Sequence, residues 1–81
     1  MKIVDRHGNL LVKGDYVRFR RTETDSFSRF GIFQYQRIST GRTVLNILHG
    51  RKYLSEIEKY PDNVEKITEE QAMLMMFEMS I

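Results

Sequence analysis

The chain has 81 residues, 13 Lys and Arg against 11 Asp and Glu, and no cysteine. That length supports one compact domain, which buries roughly 60–65% of the surface its unfolded chain exposes and leaves little for a deep cleft. Disulfides and thiolate zinc sites are excluded, and no run approaches the roughly 18 consecutive apolar residues of a membrane span.

The N-terminus, MKIVDRHG, has neither the apolar core of a secretory signal nor an Arg/Ser-rich transit segment, so the cytosol is the expected compartment. Short β-branched and aromatic runs follow, separated by glycine turns: DRHGN at 5–9, KGD at 13–15, STGR at 39–42 and HGR at 49–51. Strands are predicted over 2–4, over 10–12 leading through Gly14 into 16–21, and over 31–38, 43–49 and 64–67. In the second run the period is two: Val17 and Phe19 point inward, Tyr16, Arg18 and Arg20 outward. TVLNIL, within 43–49, is apolar on nearly both faces and predicts a central strand with a cover on each side, the second supplied by the C-terminal segment.

Residues 51–63, RKYLSEIEKYPDN, space Tyr53, Leu54, Ile57 and Tyr60 in a roughly helical manner and predict a short helical turn that plugs a barrel, ended by Pro61-Asp62-Asn63. A helix is predicted over 69–79. Thr68 and Gln71 have the spacing of a capping box, and Glu69 and Glu70 suit the positive end of the helix dipole. Its apolar girth is broad: Ala72, Met73, Met76 and Met79 share one face, widened by Leu74, Met75 and Phe77. Such a helix either caps the barrel or enters a partner.

Lys13-Gly14-Asp15-Tyr16-Val17-Arg18, followed by Gly31-Ile32, resembles the small Src-homology-3-like barrels, KOW-type modules in particular, over about residues 10–36. The resemblance implies a mainly β fold, a strongly bent five-stranded barrel often with an appended helix. It also implies binding of RNA, DNA, ribosomal or transcription proteins, or peptides; it does not imply catalysis.

The chain is charged asymmetrically. Residues 1–52 hold eleven Lys/Arg and four Asp/Glu, a charge of +7, and residues 53–81 hold two and seven, a charge of −5. Either a polyanion binds the first half, or the halves neutralise each other. A basic and aromatic set, Tyr16, Arg18, Arg20, Arg21, Phe27, Arg29, Phe30, Tyr35, Arg37, Arg42, Arg51 and Lys52, has the composition of a nucleic-acid face. Guanidiniums fork onto phosphates and rings stack on bases.

The rival expectation is a protein-interaction module or inhibitor, such as small phage-encoded accessory proteins provide. It would act through the barrel or through Met73, Met76 and Phe77 of the helix, which also offers a route to a homo-oligomer. His7 and His49 sit in turns without metal-ligand spacing, and neither GxGxxG nor GxxxxGK[ST] occurs. No metal, cofactor or catalytic residue is expected.

Overall fold

The computed structural model describes residues 3–49 and 52–79. Lys2, Gly50 and Arg51, which belong to the first predicted strand and to the HGR turn, lie outside the described residues. The elements are strands β1 (Tyr16–Phe19), β2 (Arg29–Gln36), β3 (Thr43–His49), β4 (Lys52–Lys59) and β5 (Val64–Lys66), a 3₁₀ turn at Pro61–Asn63 before β5, and helix α1 (Glu69–Met79). All neighbours pair antiparallel in one sheet of order β4-β3-β2-β1-β5. The protein is mainly β with a C-terminal helix.

The period-two pattern of β1 is realised: Val17 and Phe19 are buried while Tyr16 and Arg18 are half-exposed. Val17 and Phe19 join Leu11, Phe33, Leu45 and Val64 in the main core, flanked by Ile3, Ile47 and Ile57. β3 is buried on both faces over Thr43, Val44 and Leu45, as a run apolar on nearly both faces predicts. Gly31 lets β2 lie against β3, because a Cβ there would stand 2.3 Å from the Asn46 carbonyl oxygen. Gly14 adopts φ +98° in the turn before β1, which suits glycine. In that turn the Asp15 carboxylate accepts the Val12 N–H at 2.8 Å.

Two irregularities reorient side chains. Along β2, Phe33 faces Leu45 but Tyr35 faces Val44, so Gln34 is an extra residue. The bulge turns Tyr35 away from the face that buries Phe33. In β4, Leu54 is the extra residue between Tyr53, opposite Leu48, and Ser55, opposite Ile47.

Two expectations are corrected. Residues 52–59 form a full strand on β3, and only Pro61–Asn63 is helical. The run KYLSEIEK fits a helical period in sequence, and as a strand its adjacent Tyr53 and Leu54 are accommodated only by the bulge at Leu54. β3 resolves the ambiguity, since its outer row of backbone N–H and C=O groups is paired by β4.

The sheet is also open, where the resemblance implies a closed barrel. The outer edge of β5 is already occupied: Arg6 N–H donates to the Val64 carbonyl at 3.0 Å, and Lys66 N–H donates to the Asp5 carboxylate at 2.7 Å. With the N-terminal arm on that edge, β4 and β5 remain separate ends.

α1 begins as its sequence predicts. Gln71 N–H donates to Thr68 Oγ1 at 3.1 Å, and Thr68 N–H donates to Gln71 Oε1 at 2.9 Å, a reciprocal capping box. The helix packs chiefly on β1 and buries Ala72 completely.

Candidate functional site

Among the described residues the arginines do not form one unpaired face; they fall into separate groups. Arg18 Nε donates to Glu65 Oε1, across the β1–β5 pairing that sets the two residues opposite each other. Glu65 Oε2 is also 2.9 Å from His7 Nε2 and 3.9 Å from Arg6. Burial alone would raise the Glu65 carboxyl, but the hydrogen bonds from His7 and Arg18 outweigh it and hold the group below the usual range.

At the far end of the sheet Glu58 plays the same part. Arg37 Nε donates to Glu58 Oε1, and Arg42 approaches Glu58 Oε2 at 4.0 Å. Arg42 also lies over the Tyr60 ring, 4.8 Å from its centroid, and donates to the Tyr60 hydroxyl at 3.1 Å. Glu58 raises Arg37, and the Tyr60 hydroxyl raises Arg42, above the ordinary guanidinium value.

Arg20 is fully engaged, donating to Asn63 Oδ1 at 2.9 Å and to the carbonyls of Glu23 and Asp62 at 3.1 and 3.3 Å. Arg20 and Arg6 also lie over the Phe27 ring, 4.7 and 4.9 Å from its centroid. The ring is thus already engaged by two guanidiniums, in competition with stacking on a base. Phe30 is wholly buried in β2, which corrects its expected availability for stacking. The strand register sets it opposite Arg18 and Leu48, on the face away from the Val17/Phe19/Phe33 core, and it is buried there all the same. Tyr35 and Lys52 are exposed, and Arg51 lies outside the described residues.

Arg21 and Arg29 differ from these. Arg21 holds only an exposed contact to Asp25 at 3.5 Å, and among the described residues Arg29 has no carboxylate partner. Nearby, the Lys59 ammonium donates to the Arg21 carbonyl at 3.2 Å. Partial burial, then the charges of Arg29 and Arg21, push Lys59 below its usual value. This local cationic excess was missed in the sequence reading because Lys59 lies in the segment predicted to plug a barrel.

The second candidate surface lies on α1. The docked arc holds Ala72, buried, with Met75 and Met76 half-buried. The opposite arc holds Met73, Leu74 and Phe77, exposed by 56%, 59% and 65%. Met73 is therefore on the outer side, not on the Ala72 face, and Met76 is turned toward the protein. The helix is apolar on two stripes, 72/75/76 and 73/74/77, and the first is the more deeply buried.

Among the described residues, no group of three or more His, Asp or Glu is placed to hold a metal ion, and no helix is long and apolar enough to cross a membrane. Comparison with protein-family models, curated proteins and solved structures finds no match for this chain.

Proposed function

We propose that the protein is a non-enzymatic interaction module that seats the outer stripe of α1 in an apolar groove of a different protein. The observation that carries this reading is the exposure of Met73, Leu74 and Phe77 on the arc opposite the docked one. They hold the i+3, i+4 and i+7 places of the spacing by which an amphipathic helix anchors in a groove, with the charged Glu70 at the i place. Methionine suits such a surface, being unbranched and adaptable.

Charge narrows the partner. α1 carries Glu69, Glu70 and Glu78, with no basic residue in its last turn. Helix-on-helix pairing of two copies would bring Glu70 toward like charge, so the partner groove is apolar with a basic rim. A distant kinship with the small Src-homology-3-like barrels belongs to the same proposal. KGDYVR leads through the Gly14 turn into β1, and a module of that kind acts by binding.

The nucleic-acid reading asks for guanidiniums free of carboxylates along one face. Arg18, Arg37 and Arg42 are instead held by Glu65 and Glu58, which favours the protein partner.

The test is parallel capture with the wild-type protein and Leu74→Glu, followed by titration of any wild-type-specific binder in purified form. A folded Leu74→Glu should lose at least about tenfold in affinity, as for a central interface anchor. A purified binder that engages both proteins equally would refute the docking site. So would a concentration-dependent dimer that Leu74→Glu dissociates, which assigns the stripe to a second copy.

A further inference from the structure

We propose that the corner formed by Arg21, Arg29 and Lys59 is a binding site for a phosphoryl group. The site is separate from the α1 stripe and does not depend on its role. It gathers residues from three places: the loop after β1, the first residue of β2 and the last residue of β4. Arg21, Asp25, Ser26, Ser28 and Arg29 line an open depression of about 250 Å³. No apolar side chain lines it, so its occupant is hydrophilic. The space admits a phosphoryl group with a small part of what bears it.

The charge is as specific as the shape. Arg21 and Arg29 line the depression with one carboxylate, Asp25, which contacts Arg21 alone, and Lys59 lies close enough to feel the charges of all three; among the described residues no ion pair of Arg29 or Lys59 is formed. Elsewhere in the molecule the arginines of the sheet are answered by Glu58 or Glu65. Lys59 is fixed in place by its bond to the Arg21 carbonyl, and its ammonium lies 6.0 Å from the centroid of the Phe19 ring. Arg29 supplies a planar fork that fits two oxygens of a phosphate, and Ser26 and Ser28 supply hydroxyl donors. Burial first, and then the charges of Arg29 and Arg21, lower Lys59, and the second part is relieved when a dianion enters.

The experiment is amide NMR of the full chain at low ionic strength, titrated with inorganic phosphate, pyrophosphate and a short single-stranded oligonucleotide. Phosphate or pyrophosphate should move the amides of Ser26, Ser28 and Arg29 in a saturable way, and Arg29→Gln should weaken this about tenfold while leaving the other amides in place. If the oligonucleotide also binds, with the same loss in Arg29→Gln and a steep salt dependence, the phosphate comes from a nucleic-acid backbone. If only the small anions bind, it comes from a small phosphorylated molecule. Absence of saturable shifts at these amides, or equal binding by Arg29→Gln, would overturn the site. Arg18→Gln serves as the control that should bind like wild type.

Discussion

Glu65 shows how one side chain decides the fate of several others. It accepts from Arg18 and His7 and draws in Arg6, and its carboxyl is held below the usual range. A carboxyl depressed in the folded state contributes stability that is present above its unfolded value, near 4.5, and lost as pH falls through the folded one. Asp5 behaves alike. Its burial works against ionisation, but N–H donors from Lys66, Asn9 and His7 prevail, so its contribution is lost below about 3.8. Denaturant unfolding should therefore give a stability that is level above about pH 5 and falls toward pH 3. In Glu65→Gln the fall should be shallower, with the Asp5 part remaining. Gly31 is the second decisive residue. An added methyl meets backbone at 2.3 Å, which cannot rotate aside, so Gly31→Ala should cost about 1–3 kcal/mol in denaturant titration. A side chain placed at Gly8, where nothing lies within 4 Å but φ is +80°, would be strained by backbone conformation and not by contact.

At the scale of elements, the two sides of α1 predict opposite outcomes. Ala72 is wholly buried, so Ala72→Glu should strip the helix from β1 and destabilise the protein by about 2 kcal/mol or more. Leu74→Glu, on the exposed arc, should leave thermal stability within about 0.5 kcal/mol of wild type. Circular dichroism melts of the two variants check the pair. β4 is a long edge strand with Tyr53 and Leu54 exposed, and its charges at Lys52, Glu56, Glu58 and Lys59 guard it against pairing with other chains. Much of this level was legible in the sequence. The Val17/Phe19 alternation fixed the inward face of β1, TVLNIL the inner strand, and Thr68 with Gln71 the helix start. β4 was not legible, because Tyr53, Leu54, Ile57 and Tyr60 fit a helical period, and a strand there needs the bulge at Leu54 in its pairing with β3. The helix face was only half legible, since a segment apolar almost all round does not say which stripe docks.

Over the whole molecule, the +7 and −5 halves answer each other. Arg6, His7 and Arg18 meet Glu65, Arg37 and Arg42 meet Glu58, and Asp15 meets Lys66. The asymmetry was visible in sequence, but its meaning was not: Arg18 and Glu65 are 47 residues apart, Arg37 and Glu58 are 21 apart, and only the folded sheet joins them. The same long-range logic leaves the sheet open, because Asp5 takes a backbone bond of β5 from 61 residues away. Cross-half pairs exposed at the surface contribute little each and are screened, so raising salt should lower stability only slightly. Among the outward features are the α1 stripe and the corner at Arg21 and Arg29. The most direct measurement of this division is calorimetric titration of the captured protein partner against Leu74→Glu and Arg37→Gln, both shown to be folded. Leu74→Glu should bind at least about tenfold more weakly and Arg37→Gln like wild type. Undiminished binding by Leu74→Glu with loss in Arg37→Gln would contradict it, returning the arginine face to the centre of function.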